Sequence, residues 1–208
     1  EEVDCILNDL EKAYPKAGCG LNYKSPFELL VSTVLSAQAT DKKVNQVTEK
    51  LFSKYRTPQD FLELTQSELE QYIKEIGLYH NKARNILSMC KELIVKFSGK
   101  VPSDMESLVS LPGVGRKTAN VVLSNGFGIP AIAVDTHVFR VSNRIGLAQS
   151  KNVQDTERQL RENMPKDRWS KTHHLLIWHG RTICSARKPK CTLCPIQSHC
   201  RYFKSNQL

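Results

Sequence analysis

The chain has 208 residues, 40% hydrophobic and 25% charged, the composition of a globular protein with a real core rather than a disordered tail or a fibre. Lysine and arginine (30) outnumber aspartate and glutamate (21), and the net charge of +9 favours a polyanionic partner such as nucleic acid. No run approaches ~18 consecutive apolar residues, so no membrane partner is expected, and no secretory leader is visible.

Helical signals follow one another along the chain. Ser25-Pro26-Phe27-Glu28 predicts a capping box with proline in the first turn, opening onto an apolar run over 27–35. Thr57-Pro58-Gln59-Asp60, Thr65-Gln66-Ser67-Glu68 and Ser103-Asp104-Met105-Glu106 mark three more helix starts. Between residues 79 and 97, Ile86, Cys90, Leu93 and Phe97 share one helical face, joined by Leu87 and Ile94. Strand-like alternation is missing, so no sheet is expected beyond a short extended piece at 131–134.

Leu111-Pro112-Gly113-Val114-Gly115-Arg116-Lys117 predicts a glycine turn that opens a helix running from Arg116 to about residue 125. A helix N-terminus presents unpaired N–H groups and partial positive charge, which suits a phosphate. Lys117 on its first turn is a candidate nucleophile, because desolvation and nearby positive charge would make its amine available. Gly126, Gly128 and Pro130 break the helix. The extended piece after it lets the chain double back, bringing Asp135 toward Lys117 and placing it as N-cap of a further helix over 136–145. Lys117 and Asp135 are thus the candidate catalytic pair.

Cys184, Cys191, Cys194 and Cys200 form C-x6-C-x2-C-x5-C, a metal-site spacing in a chain whose cysteines suit a reducing compartment. Zinc and a [4Fe–4S] cluster both accept four thiolates, and spacing alone does not choose between them. The loop between the first two cysteines holds Arg187, Lys188 and Lys190. Tied at both ends, it predicts a rigid cationic finger for phosphates. Cys5, Cys19 and Cys90 fall outside the pattern, and His173, His174 and His179 show no ligand-like pairing.

Taken together, Leu35-Ser36-Ala37-Gln38-Ala39-Thr40-Asp41, Ile76-Gly77-Leu78-Tyr79, the hairpin through Lys117, the segment from Val134-Asp135-Thr136-His137 to Val141, and the cysteine spacing resemble the endonuclease III family of helix-hairpin-helix DNA glycosylases. The likeness spans about residues 21–200. It implies an all-α, two-lobed fold: a six-helix barrel over 20–129, and a discontinuous lobe of 1–19 and 130–208 carrying a [4Fe–4S] cluster. It further implies base-excision glycosylase and AP lyase activity on double-stranded DNA with a damaged base or abasic site, with oxidised pyrimidines as substrates.

In that family pattern Lys117 attacks C1′ of the sugar, and Asp135 assists its deprotonation and stabilises charge growing on the sugar. The Schiff base that results permits β-elimination. Gln38 fills the space a flipped base leaves, Leu78 wedges into the stack, and Gly113 and Gly115 hold a backbone phosphate. His137 either contacts DNA or packs. The resemblance implies a monomer in the bacterial cytoplasm, on chromosomal DNA. Two alternatives stand beside this reading. Monofunctional mismatch glycosylases share the hairpin and cluster but lack a lysine at the nucleophile position. A non-catalytic DNA-binding module with structural zinc would leave Lys117 as a phosphate contact and Asp135 as a helix cap.

Overall fold

The computed structural model describes residues 2–206, and among them every regular element is helical. In chain order these are α1 (Glu2–Ala13), α2 (Pro26–Ser36), α3 (Asp41–Phe52), α4 (Pro58–Phe61), α5 (Gln66–Ile73), α6 (Tyr79–Phe97), α7 (Met105–Val109), α8 (Arg116–Val121), α9 (Thr136–Ile145), α10 (Val153–Asn163), α11 (Trp169–Thr182) and α12 (Arg201–Ser205). Among the described residues no helix is long and apolar enough to cross a membrane. The chain divides into two compact units, Gly20–Ile129 and the pairing of Glu1–Cys19 with Pro130–Leu208.

The Gly20–Ile129 unit is built around α2. Every residue from Phe27 to Leu35 is buried, Glu28, Ser32 and Thr33 among them, so this helix is covered on all sides. Phe61 of α4 is fully buried and meets Phe27 edge-on at 5.3 Å. Helix starts follow side-chain chemistry. Thr57 with Asp60 and Thr65 with Glu68 form reciprocal capping boxes. At α2 the box is only half made. Ser25 accepts from the Glu28 amide, but the Glu28 carboxylate accepts from the Lys24 N–H at 2.7 Å instead of closing on Ser25.

In α6 the buried face is Lys82, Ala83, Ile86, Met89, Cys90 and Leu93. It is rotated from the expected stripe, with Leu87, Ile94 and Phe97 at its margins and a lysine inside it. The helix after the glycine turn keeps α geometry only to Val121. Residues Val122–Gly126 widen into a π-helical turn, a distortion that side-chain periodicity does not register.

The second unit packs α9 against α11, with α1 closing the same core. Leu7 and Leu10 of α1, Val138 and Val141 of α9, and Leu175 and Leu176 of α11 are fully buried there. This shared burial is why the N-terminal segment folds with residues 130–208 rather than with its sequence neighbours. Polar ties support the arrangement: Arg168 pairs with Glu11 at 2.8 Å, and Lys171 donates to the Ala17 carbonyl at 2.9 Å. The extended piece before α9 forms no strand. It is pinned instead by His173, whose Nδ1 lies 2.8 Å from the Ala133 carbonyl oxygen.

Candidate functional site

The glycine turn brings Gly113, Gly115 and Lys117 together. Gly113 has φ +76, a left-handed conformation, and a Cβ added there would sit 3.0 Å from the Asn85 Cβ. The fold itself therefore requires glycine at this position. Gly115 is different. As N-cap of α8 it is extended (φ −92, ψ 175), which any residue adopts, and nothing lies within 4 Å of where a Cβ would stand. Its missing side chain serves no internal packing and leaves the α8 amides open to approach from outside. Lys117 stands exposed on the first turn of α8. The expected desolvation of its amine is not supplied by burial within the protein.

In the same unit, Gln38 and Leu78 share an unusual backbone. Both have φ +60, and both are exposed, Leu78 by 59%. Gln38 follows the C-cap of α2, and Leu78 is the N-cap of α6 without any side-chain capping bond. Left-handed conformation is unfavourable for residues with a Cβ, by about 1–2 kcal/mol.

The other unit brings Asp135, His137 and the four cysteines onto or beside α9. Asp135 caps α9 by accepting from the Val138 amide at 2.7 Å through one carboxylate oxygen. His137 is half-buried, with Nδ1 3.2 Å from an Arg140 guanidinium nitrogen. Lys117 and Asp135 belong one to each unit.

Cys184 and Cys200 are buried, and Cys191 and Cys194 partly so. Burial, and then the neighbouring cysteines, push the Cys194 thiol up to about 11 and raise that of Cys200. Cys194 and Cys200, whose ionisation burial and the neighbouring cysteines oppose, suit a cationic group that would bind them as thiolates. Donors already face the sulfurs: Arg144 lies 3.7 Å from Cys184 Sγ, His179 Nε2 lies 3.6 Å from Cys194 Sγ, and backbone amides reach Cys194 and Cys200. Among the described residues no three His, Cys, Asp or Glu groups converge closely enough for a single metal ion. A zinc ion with Zn–S bonds of about 2.3 Å would need its four sulfurs roughly 3.8 Å apart. A cluster that gives each thiolate its own iron asks for less convergence. Cys184, Cys191, Cys194 and Cys200 would supply the four thiolates that an iron–sulfur cluster takes. Cys90 belongs to the other unit, its thiol pushed up to about 12 by burial, which makes it inert packing.

The basic loop is ordered from within. Lys190 N–H donates to the Ile183 carbonyl and Ser185 Oγ to the Lys188 carbonyl, while Arg187, Lys188 and Lys190 stay exposed. Several supporting residues carry no signal in the sequence. Arg140 of α9 donates to the Cys184 and Gly180 carbonyls. His179 is fully buried, held neutral with its imidazole pushed down to about 4, and Tyr14 OH lies 2.8 Å from its Nδ1. This is a pairing that the sequence does not reveal, because Tyr14 is 165 residues away. The neutral tautomer that accepts from Tyr14 donates from Nε2 toward Cys194.

Comparison with known proteins agrees with both units. Residues 31–166 match the family described as HhH-GPD superfamily base excision DNA repair protein. Residues 184–200, which begin and end on cysteines, match the iron-sulfur binding domain of endonuclease III. Endonuclease III of Bacillus subtilis (strain 168) is 50% identical over 202 residues, covering 97% of this chain and 92% of the relative. That of Escherichia coli (strain K12) is 50% identical over 197 residues, covering 95% and 93%. A solved endonuclease III–DNA trapped covalent intermediate superposes with a TM-score of 0.91 at 51% identity, covering 98% of this chain and 96% of the other.

Proposed function

This chain belongs to the endonuclease III family of HhH-GPD base excision DNA repair proteins, and from that premise we infer the part each residue plays. It is a DNA glycosylase with AP lyase activity and carries the family's [4Fe–4S] cluster. A zinc-bearing binding module and a monofunctional glycosylase are thereby set aside. Its partner is DNA, and oxidised pyrimidines are the substrates.

Lys117 is the nucleophile. Its amine attacks C1′ of a flipped nucleotide; the bond from C1′ to the base breaks and the base leaves with the electron pair and a proton. Opening of the sugar ring gives an iminium between C1′ and the lysine nitrogen. The iminium acidifies the 2′ hydrogen, whose loss expels the 3′ phosphate and breaks the strand. Asp135, with one oxygen spent on the Val138 amide, stabilises positive charge on the sugar and takes up the lysine proton. An amine nucleophile thus couples base removal to strand cleavage, whereas activated water would stop at an abasic site.

Gln38 occupies the gap left in the duplex and Leu78 wedges the stack. Gly113 and Gly115 offer hairpin amides to a phosphate, and Arg187, Lys188 and Lys190 add contacts that position without reading sequence. Cys184, Cys191, Cys194 and Cys200 hold the cluster, which fastens the basic loop at both ends.

The observation that carries this reading is Lys117 exposed on the first turn of α8, two residues after a glycine whose side-chain space is open. Borohydride trapping on a duplex with one oxidised pyrimidine tests it. Wild type yields a covalent adduct and Lys117→Ala yields none while still binding the duplex. An adduct that persists in Lys117→Ala would assign the nucleophile elsewhere.

A further inference from the structure

Lys82 lies inside the protein, only 6% exposed, on the first turns of α6. Its Nζ donates to the carbonyls of Leu35 at 3.0 Å and Ala37 at 2.5 Å. Those oxygens end α2, where the helix leaves carbonyls without partners of its own and a cation is favourable. Burying a lysine for that purpose is nonetheless an unfavourable choice, since lysine is seldom found inside and burial disfavours its charged form. An exposed helix end needs only water or a glycine.

What distinguishes this position is what it joins. The Ala37 carbonyl belongs to the peptide that leads into Gln38. The Lys82 backbone N–H donates to the Leu78 carbonyl at 3.0 Å, the first hydrogen bond of α6. One residue therefore holds the turn of Gln38 through its side chain and the turn of Leu78 through its backbone. Among the described residues, the non-glycine positions with positive φ are Gln38, Leu78 and Ser98. Ser98 is a helix C-cap, where that conformation is common. Gln38 is the third residue of a type II turn closed by the Ala39 N–H on the Ser36 carbonyl at 3.0 Å, which demands positive φ, and neither it nor Leu78 is the asparagine or glycine that eases the conformation. Lys82 touches both turns, the first through its side chain and the second through its backbone.

We propose that Lys82 is a positioning residue for base extrusion, fixing the Ala37–Gln38 and Leu78 turns in one register so that the two side chains enter the duplex together. The proposal builds on the reading of Gln38 and Leu78 as the residues that fill and wedge. Lys82 itself touches neither DNA nor the reacting sugar.

The test is a double-mutant cycle read by the fluorescence of a base analogue beside the lesion, which reports extrusion, with borohydride trapping on a preformed abasic duplex alongside. Lys82→Met keeps the stem and removes both side-chain hydrogen bonds. It slows extrusion by about tenfold while trapping at the abasic site changes much less. Lys82→Arg recovers part of the loss. In a Gln38→Ala, Leu78→Ala background the Lys82→Met effect on extrusion disappears. An additive effect in that background, or equal losses on lesion and abasic duplexes, would overturn the role of Lys82. Normal extrusion by Gln38→Ala, Leu78→Ala alone would instead overturn the wedge reading on which it builds. Should Lys82→Met not fold, Lys82→Arg carries the same cycle, and an additive effect there overturns the proposal equally.

Discussion

Arg144 grips the start of the basic loop, donating from Nη1 to the Ser185 carbonyl at 2.7 Å and from Nη2 to the Ala186 carbonyl at 2.8 Å. Arg144 sits in the last turn of α9, the helix whose N-cap is Asp135, so a single helix carries the proposed charge stabiliser at one end and holds the cysteine loop at the other. The loop's lysines are free to act on DNA because its backbone is already ordered. Replacing Lys188 and Lys190 together by alanine should flatten the dependence of log affinity on log salt by roughly 2, at about 0.9 per phosphate lost. Arg144→Ala leaves those lysines in place and should weaken binding by freeing the loop, with a smaller change in slope. Titrations of a labelled duplex at several salt concentrations check both; an unaltered slope in the lysine variant would mean the loop does not meet phosphate.

The two hairpin glycines should part company on substitution. Gly113→Ala meets both a left-handed backbone and the Asn85 side chain, and should lower stability by about 1–3 kcal/mol. Gly115→Ala meets neither and should fold normally, with DNA affinity reduced because its methyl group stands before the α8 amides. Urea unfolding beside duplex binding separates them. Equal destabilisation by the two variants would remove the argument that Gly115 is kept open for a ligand.

Much of this architecture is legible in the sequence because local chemistry repeats local rules. Thr57 and Thr65 announce their helices through capping boxes, Gly113 and Gly115 mark a turn, and four close cysteines mark a metal site. The role of Asp135 as a cap also follows from its place before an amphipathic helix. What escapes depends on partners far along the chain. Lys82 looks like one more charge on a helix until α2 ends against it, 45 residues upstream. His179 and Tyr14 lie at opposite ends of the sequence. The π-helical turn after α8 and the left-handed backbone at Gln38 and Leu78 leave no compositional trace, since those residues are not the types that favour such conformations.

Asp135 has two duties that one substitution can separate. Asparagine caps a helix as well as aspartate does, so Asp135→Asn should keep the Val138 amide satisfied and stability close to wild type. It removes the negative charge, and base release should slow by about a hundredfold or more. Asp135→Ala should lose in addition about 1 kcal/mol of stability with the cap. Single-turnover excision alongside thermal unfolding checks the separation. Near-normal excision by Asp135→Asn would confine Asp135 to capping.

Gly180 of α11 faces α9. A Cβ there would lie 3.0 Å from Val141 Cγ2 and 3.1 Å from both Arg140 Nη2 and His137 Nδ1. Val141 is fully buried and Arg140 is held by the Cys184 and Gly180 carbonyls, so neither can yield easily. The overpacking, about 1–3 kcal/mol, should outweigh the roughly 1 kcal/mol of helix propensity that alanine gains over glycine. Gly180→Ala should therefore unfold at lower urea, and its iron should be lost faster to a chelator because Arg140 anchors the Cys184 carbonyl. A variant as stable as wild type would show that the crossing has slack.

His174 should make the protein acid-sensitive. Burial, with the nearby His173 and Lys171, pushes its imidazole down to about 4, against about 6.5 in the unfolded chain. Between those values the unfolded chain binds more protons than the folded one, so stability rises with pH across this window. The contribution is complete above about pH 6.5, falls as pH drops toward 4, and changes no further below it. A gap of about 2.5 units corresponds to roughly 3 kcal/mol at full burial, and the partial exposure of His174 reduces this to about 1–2 kcal/mol. His174→Gln, which cannot take up a proton, should lose less stability than wild type between about pH 7 and pH 5. Urea midpoints of the two iron-loaded proteins at both pH values measure the difference, and identical losses would assign the acid sensitivity to other groups.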